Sequence, residues 1–119
     1  MARASRGEIK IEEILRANDI PYKTEYMFED LKASSNKPLR FDFAVFDDGG
    51  DLAFVIEYQG EQHYVAKSVY GGQSGLKRQQ YNDREKKKYC KKNNIPLVII
   101  PYWEFMDITL DYLLEKGGY

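Results

Sequence analysis

The chain has a single cysteine, Cys90, among its 119 residues. An intramolecular disulfide is therefore impossible and a Cys-based zinc site is not expected, which fits a reducing, intracellular setting. Long apolar runs are also missing. None approaches the roughly 20 residues that a membrane span needs, so no membrane association is expected. The opening MARASRGEIK has no apolar stretch behind its basic residues, so no signal peptide is expected. There is no internal repeat, no low-complexity segment and almost no net charge (−1), which by itself indicates no partner. The length suits one domain with one core, residues 1–119.

What is present is 43% hydrophobic and 31% charged residues, a globular composition. The charge is unevenly placed. Lys77 to Lys92 holds eight Lys/Arg against Asp83 and Glu85, a net +6, so the remainder carries −7. Such a block is either a solvated helix face or a local phosphate-binding surface.

The pattern predicts an α/β fold. Ser5 and Glu8 form a capping box ahead of a helix reaching about Ala17, with Ile11, Ile14 and Leu15 on one face. Tyr22, Thr24, Tyr26 and Phe28 alternate as a first strand, and Ala33–Pro38 is a loop. Leu39–Gly60 reads as a hairpin, and Gly71–Gly75 as a flexible loop. A basic helix runs from Leu76 to about Asn93. Pro96–Ile100 is a short apolar strand of the kind buried on both faces. Asp107 is the expected cap of a last helix through Ile108, Leu110, Leu113 and Leu114, ended by Gly117-Gly118. The first three strands then form an antiparallel meander, and the basic helix is the crossover to the fourth.

The hairpin poses a chemical question, because each of its apolar strands carries an acid: Asp42 and Glu57. With Gly49-Gly50 as the centre of a type I′ or II′ turn, Asp48 faces Asp51 and Asp42 faces Glu57. Gln59 lies on the same face as Glu57. Facing Cβ atoms are roughly 4.5–5.5 Å apart, where like charges repel. A divalent cation between the carboxylates removes the repulsion, and hard oxygen ligands suit Mg²⁺ or Mn²⁺. The plainer alternative leaves one acid exposed and the other protonated or paired with Arg40. Glu8 lies within about 20° of Leu15 on the helical wheel and can reach over the sheet, although a capping-box Glu needs no further role.

Glu8, then Arg40-Phe41-Asp42-Phe43, then Glu57-Tyr58-Gln59 resembles the PD-(D/E)XK nuclease superfamily. Ile56-Glu57-Tyr58-Gln59-Gly60-Glu61-Gln62-His63 resembles a segment of small endonuclease-like proteins related to the very-short-patch repair endonucleases. Asp83, Lys86 or Lys87, Tyr89-Cys90, Asn93-Asn94 and Ile95–Ile100 fit the helix and strand that follow there. The resemblance runs from about residue 7 to 105 and implies a restriction-endonuclease-like core. Gln59 departs from it by standing where Lys is usual.

The resemblance implies a Mg²⁺-dependent DNA endonuclease, with Mn²⁺ able to substitute and no small-molecule cofactor. Asp42, Glu57 and Glu8 are the implied metal ligands, with Gln59, His63 and Lys87 as further catalytic residues. Lys86 or Lys87 replaces the charge missing at Gln59. Lys77, Arg78, Arg84, Lys86 and Lys88 are assigned to the DNA backbone. Asp83 has the plainer role of pairing with Lys87. Small size implies recognition of DNA structure, such as a branch or four-way (Holliday) junction, or of a short site read by residues 65–80. Junction resolution implies a homodimer. Standalone nucleases this short resemble phage or mobile-element products, which act in the cytoplasm of a bacterium or infected host. The alternatives are a sequence-specific nicking enzyme, a non-catalytic nucleic-acid-binding domain that kept the fold, or a small adaptor whose basic helix binds an acidic protein. Tyr22, Tyr26, Tyr58, Tyr64, Tyr70 and Tyr81 are candidates for stacking on bases, or for half-buried sheet positions.

Overall fold

The computed structural model describes residues 5–33, 35–64 and 71–119. Its order is α1 (Arg6–Ala17), β1 (Tyr22–Lys32), β2 (Pro38–Phe46), β3 (Leu52–Gln59), a 3₁₀ turn (Glu61–His63), α2 (Gly72–Lys92), β4 (Leu97–Pro101), a 3₁₀ segment (Tyr102–Asp107) and α3 (Leu110–Lys116). The sheet runs β1-β2-β3-β4. Its first three strands are antiparallel, and β4 lies parallel to β3 after the α2 crossover. This is the α/β order that the sequence patterning predicts.

Helices cover both faces. Ile11 and Leu15 of α1 and Leu113 of α3 pack with Ile108, Phe43, Val45, Phe54, Ile56, Val98 and Ile100 on one side. Cys90 and Tyr89 of α2 pack with Leu31, Leu39, Phe41, Ala44 and Val55 on the other. β4 is an edge strand. Val98 and Ile100 are buried while Leu97 and Ile99 are only half-buried, so it is not buried on both faces.

Ser5 caps α1 as expected, accepting the Glu8 N–H at 3.2 Å. α1 settles on the sheet at Gly7, where a Cβ would run into the ring of Tyr58. Pro38 begins β2 rather than ending a loop, β4 is shifted one residue from the expected Pro96–Ile100, and three further features differ from the sequence reading. The Gly-rich stretch is no loop from Gly72 onward but the first turn of α2, because Gly71 takes φ +93° and accepts the Gly75 N–H at 3.1 Å. The N-cap of α3 is Thr109, whose hydroxyl accepts the Tyr112 N–H at 3.1 Å; Asp107 instead ends the 3₁₀ segment. The hairpin turn is also not the two-residue type. Asp47 N–H bonds to Asp51 O at 2.8 Å, Gly50 N–H bonds to Asp47 O at 3.0 Å, and Gly50 has φ +85°. That is a three-residue loop, a type I turn followed by a left-handed glycine. Asp48 therefore does not face Asp51.

Such a loop moves the register by one and would turn Glu57 away from Asp42. A β-bulge cancels the shift. Phe46 pairs with Leu52 but Val45 pairs with Phe54, leaving Ala53 as the extra residue. From there Phe43 faces Ile56, the register that sets Asp42 beside Glu57.

Candidate functional site

The sheet is irregular where the acids lie. The β1–β2 ladder pairs Thr24 with Phe43 and Tyr26 with Phe41 but skips Glu25 and Asp42, and the β2–β3 ladder stops at Phe43–Ile56. Glu25 has φ +48°, in the left-handed region, which few non-glycine residues adopt. The kink swaps faces: Phe43 packs toward α1 and α3, whereas Phe41, two residues away, packs toward α2.

At the kink, carboxylates replace main-chain acceptors. Asp42 N–H donates to Glu57 Oε1 at 3.1 Å, and Tyr58 N–H donates to Asp42 Oδ2 at 2.7 Å. Each acid thus caps the other strand. Glu57 is 5% exposed, and Asp42 is half-buried. Burial first, then the charge of Glu57, then that of Glu8, pushes the Asp42 carboxyl up from 3.8 to about 8. Burial likewise raises Glu57, opposed by Lys86.

Lys86, on the inner side of α2, meets Glu57 Oε1 at 3.1 Å and lies 5.5 Å from the centroid of the Phe41 ring. Its side chain is only 12% exposed. Lys86 is therefore an internal partner of the site rather than a surface cation, and it takes the place that Lys87 has in the sequence reading. Lys87 instead lines a recess of about 260 Å³ with Gln59, His63, Tyr64, Gln80, Asp83 and Arg84. Gln59 is buried, and its Oε1 accepts the Tyr64 hydroxyl at 2.6 Å. His63 Nδ1 is 3.0 Å from Asp83 Oδ2, with both side chains largely shielded. The Asp83 pairing is thus with His63 and not with Lys87. Sequence spacing gave no sign of it, since the two lie on different elements.

Glu8 is half-buried, and its Oε1 accepts the Ser5 hydroxyl at 3.1 Å. Its charge still acts on Asp42. Among the described residues no three His, Cys, Asp or Glu side chains come together closely enough to hold a metal ion. The expected triad is thus a facing pair, Asp42 and Glu57, with Glu8 tied to its own helix cap. The pair itself suits a hard cation. Hydrogen bonds engage one oxygen of each carboxylate and leave Asp42 Oδ1 and Glu57 Oε2 without a partner among the described residues. Lys86 also pairs with only Glu57 of the two facing carboxylates.

Lys77, Arg78, Arg84 and Lys88 are exposed along α2. Residues 65–70, including Tyr70, lie outside the described residues, and 72–80 is helix. Tyr22, Tyr26 and Tyr58 are half-buried against the core, whereas Tyr64 and Tyr81 are exposed. No helix among the described residues is long and apolar enough to cross a membrane.

Over 53 residues the chain is 43% identical to Uncharacterized protein 094L of Frog virus 3 (isolate Goorha), a stretch covering 43% of this chain and 34% of that protein. It is 35% identical over 52 residues to Uncharacterized protein 307L of Invertebrate iridescent virus 6, covering 43% of this chain and 26% of that protein. The matched stretch is thus about a third and a quarter of the length of these viral relatives. No family model and no solved structure matches the chain.

Proposed function

We propose that this protein is a Mg²⁺-dependent DNA endonuclease with a restriction-endonuclease-like core, selective for branched or junction DNA. The observation that carries the reading is the Asp42–Glu57 pair: two facing carboxylates at a sheet kink, Glu57 buried and Asp42 half-buried, each with one uncommitted oxygen, in a setting that raises both proton affinities. Burying like charges together is costly without a counter-charge; Lys86 meets only Glu57, and a divalent cation between the carboxylates would supply the rest, which supports the reading.

Asp42 and Glu57 are the residues that would hold Mg²⁺, or Mn²⁺ in its place. When bound, such an ion lowers the pKa of water and offsets charge on the transferring phosphate. The chain's own groups do the rest. Lys86 favours the ionised form of Glu57 and brings positive charge to the side where Gln59 replaces the usual lysine. The Tyr64 hydroxyl fixes the Gln59 amide. Asp83 engages His63 at Nδ1, which leaves Nε2 to exchange a proton with water or a phosphate oxygen. Lys77, Arg78, Arg84, Lys87 and Lys88 supply backbone contacts, which weaken steeply with salt. Resolving a four-way junction takes two such sites, so that substrate implies a homodimer.

The test is cleavage of labelled duplex, nicked, flapped, single-stranded and four-way-junction DNA in Mg²⁺, Mn²⁺ or EDTA, beside Asp42→Ala and Glu57→Ala. Metal-dependent cutting lost in both variants is the expected result. Absence of cutting on every substrate, with binding unchanged by the substitutions, refutes the catalytic reading. Gln59 and the lack of a third acid beside Asp42 and Glu57 among the described residues favour one second reading, a nucleic-acid-binding domain that kept the fold, which that outcome would select.

A further inference from the structure

Aromatic side chains gather beside the site on a segment that the catalytic reading does not use. Trp103 and Tyr102, from the 3₁₀ segment after β4, pack with Tyr64. Ring centroids are 4.8 Å apart for Tyr64–Trp103, 5.4 Å for Tyr102–Trp103 and 5.9 Å for Tyr64–Tyr102. Trp103 nevertheless remains 61% exposed, and Tyr64 37%. Leaving an indole this open forgoes a large burial gain. The cluster is joined to the site: Tyr64, whose hydroxyl holds Gln59, also lines the recess with His63, Asp83, Arg84 and Lys87. On the same 3₁₀ segment, Arg6 and Lys10 lie 4.7 and 4.6 Å from the centroid of the Phe105 ring.

We infer that Trp103, with Tyr64 and Tyr102, is a stacking platform for an unpaired base of the DNA strand that enters the site. The inference rests on the nuclease reading and narrows its substrate to DNA with single-stranded character next to the cleaved phosphate. The surroundings select this occupant. An apolar protein surface would meet Arg84 and Lys87, which line the recess with Tyr64; of the acids near Tyr64, Asp83 is engaged by His63 and Glu104 by Tyr112 and Lys116. A nucleic acid strand offers both the flat ring that Trp103 can stack and the phosphates that those cations attract. A base inside intact duplex presents no open face, so the platform discriminates against blunt duplex.

Trp103 is the only tryptophan in the chain, so its fluorescence reports on the platform alone. Titration in EDTA, which prevents metal-dependent cutting, compares a single-stranded oligonucleotide, a flapped duplex and a blunt duplex. Strong quenching by the first two and little by the third is expected. In parallel anisotropy titrations with labelled DNA, Trp103→Ala weakens single-strand and flap binding about 5- to 50-fold, the scale of one lost base–aromatic stack. Blunt-duplex binding is spared, and Trp103→Phe restores most of the loss. Equal losses on all three DNAs, or binding without quenching, would overturn the inference. An emission shift that follows protein concentration without DNA would also overturn it and assign the patch to contact between copies. Quenching without metal-dependent cleavage in the separate assay would refute the nuclease reading and leave the platform standing.

Discussion

Asp42→Asn separates stability from function in one substitution. Asn keeps the oxygen that accepts the Tyr58 N–H and removes the charge that burial, Glu57 and Glu8 all disfavour. Asp42 has a folded-state pKa raised from 3.8 to about 8, so the folded protein holds this proton more tightly than the unfolded chain does. Stability is therefore full below about pH 4, falls as pH rises through that window, and levels off above about pH 8. One pKa unit corresponds to about 1.4 kcal/mol. Counting only a quarter to a half of the displacement, because Asp42 keeps partial contact with water, gives about 1–3 kcal/mol. In EDTA at pH 8, Asp42→Asn should thus melt higher than the natural protein by about 4–10 °C. The two melting curves should converge near pH 4. Mg²⁺ should raise the melting temperature of the natural protein, as any ligand of the folded state does, and raise the variant's much less. The assay is thermal unfolding followed by circular dichroism across pH, with and without Mg²⁺. A variant no more stable than the natural protein at pH 8 in EDTA would refute the reasoning.

Three further predictions follow from the same geometry. Lys86→Met removes the cation that opposes the rise of Glu57, so the acid limb of the cleavage pH profile should move to higher pH; an unmoved limb would separate Lys86 from the chemistry. Asp83→Asn should lower kcat about 10- to 100-fold with little change in KM for DNA, and adding it to His63→Ala should cost nothing more, because the two residues act as a unit. Gly7→Ala should destabilise the protein by about 1–3 kcal/mol in chemical denaturation, since α1 must lift off the Tyr58 ring. Gly49→Ala, whose added Cβ meets nothing closer than 3.4 Å, serves as the control.

The sequence was legible wherever a local pattern decided the outcome. The Ser5 cap, the face of Ile11 and Leu15, the meander and the parallel crossover all follow from periodicity and capping. The facing of Asp42 and Glu57 was legible for a partly mistaken reason. Two departures from the ideal hairpin, a three-residue loop and the bulge at Ala53, cancel each other. Other features depend on tertiary contacts that no local pattern encodes. Nothing in Thr24-Glu25-Tyr26 marks a left-handed residue. The choice between Lys86 and Lys87 is a rotation of 100° about α2, fixed only by how the helix docks. His63 and Asp83 meet across twenty positions of chain. Trp103 lies past the last predicted strand, and only the turn after β4 brings it beside Tyr64.

The kink has a consequence for the sheet itself. At Asp42 and Tyr58 the amide protons end on carboxylate oxygens of the opposite strand and not on peptide carbonyls. Their exchange with deuterium is therefore tied to the chemistry of two side chains. Neighbouring amides of β3 report how often the strands part, whereas these two also respond to whether the acids hold a proton, a cation or neither. A pair of isotope labels in the middle of the sheet thus follows the state of the site in a protein that need never turn over a substrate.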